Sequence, residues 1–296
     1  MKRWIALAVV AALAWSGWWA WSARALRGDL DRWVTALETA GWQVAIEDTR
    51  LRGFPSRLDL TLEGIDVTGP DGRLRWQAPF LQVLGLTYKP GHKILALPDT
   101  QMVTWDRTEL PIAATGLRAS VIYDGDRALR RANLEAETLT LPGPDGDLRL
   151  DGLRLAAARQ GAEILAGLEA GLEGAPTPRL SLQLAARFEG TWSLDSPSGV
   201  LPRLDRLDVR QAGVTGPQAQ VDADGLLRFD PRAHGALELQ SPDWGAALEM
   251  LAEAGLLGAD GRAALAAAVT EGPLTVTVEG DAFRTGDRAL GRLSLR

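Results

Sequence analysis

The sequence predicts a mainly β protein with added helices (α+β). An N-terminal transmembrane helix leads into an elongated, curved antiparallel sheet of repeated hairpins with a few capping helices. Three observations carry this prediction. Runs such as 58–63, 180–184 and 274–278 alternate apolar and polar residues, which makes one face of a strand greasy and the other wet. A Gly-Pro-Asp-Gly tetrapeptide recurs at Gly69 and at Gly143, each time between β-like segments. An uncharged apolar run fills residues 4–21.

That first run follows Lys2 and Arg3 and is crowded at its far end by Trp15, Trp18, Trp19 and Trp21. At ~1.5 Å per residue, residues 5–21 span roughly 25 Å, a little less than a hydrocarbon core of ~30 Å. Basic residues before the run and tryptophans after it fit a single-pass anchor with a cytoplasmic N-terminus. Ala23-Arg24-Ala25 keeps a cleaved signal peptide open as the alternative. Residues 1–21 are therefore read as the anchor, or as that signal. Residues 22–41 are read as a linking amphipathic helix: Leu26, Leu30, Trp33, Val34 and Leu37 recur at helical spacing and Gly41 supplies a stop. Its apolar stripe rests either on the end of the sheet or on the membrane surface.

From Trp42 the period changes to two. Further strands are expected at 73–76, 81–88, 117–123, 134–141, 148–155, 180–188, 204–209, 226–229, 236–239, 274–279 and 290–295. In 148–155 the alternation slips at Gly152, as at a β-bulge. Asp224-Gly225-Leu226 is read as a weaker echo of the turn. Residues 162–174 are open between helix and strand, because Gly167 and Gly171 each cost a helix about 1 kcal/mol. Ala175-Pro176-Thr177-Pro178 is a break. The Pro/Ser-rich stretch 196–202 divides a first β-rich half, 42–195, from a second, 196–296, with helices near 242–269. In the first of these helices Ser241 is the expected cap and Pro242 the first helical residue.

Composition narrows the function. Net charge is −6, which speaks against a nucleic-acid partner, and there is no cysteine, which excludes disulfides and thiolate metal sites. No Gly-x-Gly-x-x-Gly, no Gly-Lys of a P-loop and no Gly-x-Ser-x-Gly elbow is present. The Asp-Gly pairs at 124–126, 145–147 and 222–225 invite calcium, but none continues into a full calcium loop, and turns explain them. His92 and His234 are the only histidines. His92 is read as a loop residue with a backbone partner, and Trp42, Trp76 and Trp105 as core rather than groove. No catalytic residue, cofactor or metal ligand is assigned.

The most distinctive stretch runs from Gly41 to His92. It holds Trp42, Gly53-Phe54-Pro55-Ser56-Arg57, Trp76-Gln77-Ala78-Pro79 and Tyr88-Lys89-Pro90-Gly91-His92. Of these, Trp42, Gly53, Phe54, Pro55, Arg57, Trp76, Pro79, Tyr88, Pro90 and His92 are the motif residues, read as structural. This ordered set, behind a membrane segment, resembles the bacterial family called domain of unknown function 2125. The layout is similar, more distantly, to AsmA-like β-groove proteins, which are associated with phospholipid movement. The resemblance supplies no catalytic residue. It implies an envelope protein anchored in, or exported across, the inner membrane, with its body in the periplasm. The first functional reading is a non-enzymatic protein whose apolar groove binds lipid acyl chains. The alternative is a structural or assembly factor that binds other envelope proteins, and the third is an envelope enzyme. A closed sandwich in place of an open groove would remove the first reading.

Overall fold

The periodic apolar residues of the N-terminal region form one unbroken helix, α1 (Lys2–Thr39), so the anchor and the linking helix are a single rod of ~57 Å. Gly41, at φ +88°, turns the chain out of it, and the Trp42 amide bonds back to the Leu37 carbonyl at 3.0 Å. The computed structural model describes residues 1–143, 146–173, 178–193, 202–230, 232–269, 272–280 and 282–292. The strands are β1 (Gln43–Arg52), β2 (Arg57–Thr68), β3 (Leu74–Leu86), β4 (Lys89–Ala96), β5 (Thr100–Trp105), β6 (Thr108–Thr115), β7 (Arg118–Tyr123), β8 (Leu129–Pro142) and β9 (Asp147–Gln160). They continue as β10 (Glu163–Leu172), β11 (Arg179–Glu189), β12 (Arg203–Thr215), β13 (Gln220–Phe229) and β14 (Ala233–Gln240). Two helices follow, α2 (Trp244–Glu253) and α3 (Ala259–Ala268), then β15 (Leu274–Glu279), β16 (Ala282–Thr285) and β17 (Arg288–Arg292).

All pairings are antiparallel, and the strands join in one sheet in chain order, from β1 to β17. β4 and β5 lie end to end against β3, and β6 and β7 end to end against β8. These four short strands thus make two interrupted long ones. Most neighbouring strands are consecutive in the chain, and α2 and α3 interrupt the meander between β14 and β15.

Directly paired residues share a face, so register defines each side of the sheet. One row runs Leu51, Leu60, Val83, Leu95, Ala119, Leu134, Leu155, Leu168, Leu182, Ala212, Ala223, Leu239, Leu274. Every member is apolar. This inner face carries both helical covers. Ala23 and Leu26 of α1 bury Leu58, Leu60, Leu62, Ile65 and Val67 of β2. Met250 of α2 and Ala254 just beyond it pack on Leu150, Leu153, Ala170, Leu172 and Val214.

A crease crosses the first half of the sheet. Inward residues normally sit two apart, but Leu62 and Ile65, Ala78 and Leu81, Ala114 and Leu117, Ala136 and Leu139, and Leu150 and Leu153 sit three apart. Gly64, Gly116 and Gly152, at φ +60°, +65° and +61°, make the slip where a side chain would be strained. The slips are aligned: Ile65 pairs Ala78 while Leu62 pairs Leu81, and Ala136 pairs Leu153 while Leu139 pairs Leu150. Between β9 and β10 the slip ends in a bulge on β9, where Gly152 and Leu153 stand opposite Ala170, which is the irregularity the sequence indicates.

Several expectations are corrected. Residues 162–174 supply a strand, β10. Asp224-Gly225 lies inside β13, not at a turn, because residues 220–229 pair along their length with β12 or β14. The first C-terminal helix is capped by Asp243, whose carboxylate accepts from the Ala246 amide at 3.1 Å, and Trp244 is its first residue. Gly258 caps α3, and the helix takes in Gly261. Strands β4, β5 and β6 were not expected. Pro144 and Asp145, residues 174–177, most of 196–202 and 293–296 lie outside the described residues. β11 and β12, either side of the 196–202 stretch, pair directly with each other.

Candidate functional site

At one end of the sheet one turn meets the apolar part of α1 and a second turn braces the first. In the first, residues 53–56, Phe54-Pro55 is a cis peptide and Gly53 approaches Arg57 so closely that a Cβ would stand 2.8 Å from its backbone. The Trp15 indole donates to the Pro55 carbonyl and the Trp19 indole to the Arg57 carbonyl, both at 2.8 Å. Phe54 meets Trp19 edge to face, with centroids 5.5 Å apart. The helix spacing explains the pair: residues four apart lie one above the other on a helix. The second turn, Thr87-Tyr88, joins β3 to β4. Buried Thr87 bonds the Ser56 carbonyl through both its amide, at 3.0 Å, and its hydroxyl, at 3.2 Å. Phe54 and Tyr88 stay largely exposed, as do Trp15, Trp18 and Trp21 of the helix. Phe54 packs along one edge only.

The remaining motif residues are placed as follows. Trp42 and Trp76 pack against the α1–β2 core. The Trp76 indole donates to buried Gln101 at 3.0 Å. Pro79 lies on the crease beside Gly64. The Arg57 guanidinium pairs with Asp59 at 3.1 Å. Pro90 and His92 are in β4. His92 is therefore not a loop residue, and its partner is a side chain: its Nε2 lies 2.9 Å from the Ser120 hydroxyl. His234 sits eight strands away on β14, beside the Arg232 carbonyl. Trp105 stacks under the Arg73 guanidinium at 5.2 Å, on a strand end rather than in either core.

The inner face between the two helical covers is apolar and only half-buried. Its second row runs Leu58, Gly85, Lys93, Val121, Ala132, Ala157, Ala166, Leu184, Val209, Gly225, Leu237, Val276. From Ala132 to Leu237 these residues are half-buried and belong to neither core cluster. This half-buried apolar strip, the trough, is crossed at one end. Beyond β11 the chain crosses to the β7–β8 hairpin, where Ser193 bridges Ala128 and the Leu129 amide donates to the Trp192 carbonyl at 2.6 Å. Trp192 meets inner-face Phe188 edge to face. In a flat sheet β8 and β11 stand about 14 Å apart, so residues 190–193 form a strap across that gap. The opposite face is mixed and holds a groove of about 670 Å³ whose lining joins Arg131, Glu135 and Arg154 to Ala156, Ala158 and Leu165.

Charged groups gather where α1 meets the trough. Asp29 of α1 pairs with Arg32 and, at 3.0 Å, with Arg127 of the β7–β8 hairpin. Asp124 pairs with Arg159. Burial pulls the Lys93 ammonium down from its usual range, against the opposing pull of Asp29. Burial likewise pushes the Tyr123 phenol up. Sequence reasoning missed Lys93, because only the register shows that it faces inward. Among the described residues no three histidine, aspartate or glutamate side chains gather to hold a metal ion.

A family model described as "Uncharacterized protein conserved in bacteria (DUF2125)" matches residues 19–281. No curated protein and no solved structure matches the chain.

Proposed function

The chain belongs to the DUF2125 family of conserved bacterial proteins, and from that premise we propose that it is a membrane-anchored, non-enzymatic lipid-handling protein of the cell envelope. The apolar inner face would receive acyl chains. One observation carries the reading: apart from Lys93 the two inner rows are apolar or glycine across the sheet, while α1 and α2 cover only parts of them. Apolar surface that its own core does not cover is a binding surface. The helix names the occupant. α1 is long and apolar enough to cross a membrane, and little of its apolar window is buried. Exposed Trp15, Trp18, Trp21 and Tyr88 fit the interfacial layer, where aromatic side chains with polar tips favour residence. The two turns stand at the same sheet end as the start of the trough, so acyl chains enter from the bilayer side. In this reading the body lies in the periplasm, which Lys2 and Arg3 before the apolar run favour, with a soluble periplasmic form as the alternative if the helix is cleaved.

The assembly-factor reading has less support. The free edge strand β1 carries Asp48, Arg50 and Arg52, the kind of charged edge that discourages pairing with another chain. Native mass spectrometry of the detergent-extracted full-length chain, with extraction of what it retains, tests the proposal. Phospholipid that survives stripping of annular lipid is expected on a chain that begins at Met1. A lipid-free chain crosslinked to stable protein partners overturns it.

A further inference from the structure

Lys93 is the one charged residue in the second inner row, where the other eleven positions are apolar or glycine. Its side chain is laid inward by a specific accommodation. Gly85 pairs with it directly, and a Cβ at Gly85 would stand 3.0 Å from Nζ and 3.3 Å from Cδ. The stem thus lies across the bare backbone of Gly85, whose other neighbour, Leu58, packs under α1. A half-buried ammonium in such a place is held by an acceptor, because desolvation without a partner is costly. Among the described residues Lys93 makes no hydrogen bond and no ion pair. Asp29, the carboxylate that attracts it, is already engaged by Arg32 and Arg127. Val121, its partner on β7, leads to Ala132 and Ala157 and so into the trough. Tyr123, two residues along the same face, adds a phenol.

We propose that Lys93 is the headgroup contact of the lipid site, and that the ligand is an anionic amphiphile whose acyl chain lies along the trough from Val121. The inference rests on the lipid-handling reading and adds the charge of the ligand. The geometry gives each part of such a molecule its place. The anion meets an ammonium at the junction of α1 and the sheet, and the chain meets half-buried Ala and Leu side chains. Lysine suits this role as a compact charge on a flexible stem.

The test is competition on the full-length protein. Delipidated chain in detergent is reloaded from an equimolar mixture of phosphatidylglycerol and phosphatidylcholine, and the retained lipids are counted by native mass spectrometry. Wild type is expected to retain the anionic lipid about fivefold over the zwitterionic one, a modest value for a half-buried charge-assisted bond. Lys93→Met is expected to hold as much lipid in total with the ratio near one, and Lys93→Arg to keep the preference. Lys93→Met is also expected to melt higher than wild type, since it removes a desolvated charge without an acceptor. A wild-type ratio near one overturns the headgroup assignment while leaving the lipid reading intact. So does a preference that survives Lys93→Met, which would assign it to Arg24 and Arg27 on α1. Failure to retain any lipid, whatever its charge, overturns both.

Discussion

Alanine at Gly152 and at Gly64 gives two different costs at positions with the same backbone. Both glycines stand at positive φ, +61° and +60°. Forcing an L side chain into that region costs about 1–2 kcal/mol, and the stiffer unfolded chain returns roughly 0.4–1 kcal/mol. At Gly152 no atom lies within 4 Å of an added Cβ, so Gly152→Ala reads the backbone alone, about 1 kcal/mol. At Gly64 an added Cβ would overlap the Glu47 side chain of the neighbouring strand. Glu47 is exposed and can swing away, so Gly64→Ala adds about 1 kcal/mol for that displacement, near 2 kcal/mol in all. In a Glu47→Ala background the added cost should vanish, leaving Gly64→Ala equal to Gly152→Ala. Thermal unfolding of the full-length chain, followed by far-ultraviolet circular dichroism at fixed detergent, reads these differences as about 2–4 °C per kcal/mol. A neutral Gly152→Ala would refute the crease as a left-handed slip. A Gly64→Ala cost untouched by Glu47→Ala would refute the steric part.

Three further outcomes are expected. Trp19→Phe keeps the ring against Phe54 but loses the 2.8 Å bond to the Arg57 carbonyl, and should lower stability by about 1 kcal/mol in the same melt. Asp66 is held below its usual 3.8 by the Arg75 guanidinium, so its contribution is present above 3.8 and lost as pH falls through the lowered value. The stability difference between wild type and Asp66→Asn should therefore shrink on acidification below 3.8, and a difference that grows there would contradict the assignment. Leu184→Glu places a carboxylate in mid-trough and should abolish retained lipid in native mass spectra while leaving the far-ultraviolet spectrum unchanged.

What was legible in the sequence was alternation over long uninterrupted runs. β2, β11 and β15 show it because each puts Leu or Val on one face only. β4 to β6 did not, for identifiable reasons. Their runs are short, Pro90 and Pro111 stand inside them, and the β5–β6 hairpin turns on Asp106 and Arg107 at positive φ with no glycine to signal it. The helix cap moved by two residues because Ser241, Pro242 and Asp243 each carry a start signal, and only the fold selects Asp243. The motif stretch was legible as distinctive. Its docking on Trp15 and Trp19 was not, because that contact joins residues about forty positions apart.

The crease explains why the inner face can be both continuous and bent. A slip of one residue in a single strand would send every following side chain to the opposite face. Here each slip is matched on the next strand, so the face survives the change of phase from β2 through β9. Opposite β10 the slip ends in one extra residue on β9, and simple alternation carries the face onward. Gly64, Gly116 and Gly152 are thus one device repeated, each within an apolar-x-Gly-apolar tetrad: Leu62 to Ile65, Ala114 to Leu117, Leu150 to Leu153. Only Gly152, flanked by long Leu runs on both sides, was visible as a slip before the register was known. If the apolar face served only to seal a core, one charge in its second row would be a defect. Placed over a glycine, beside α1 and at the start of the half-buried rows, Lys93 marks where the sealed part of the face ends and the binding part begins.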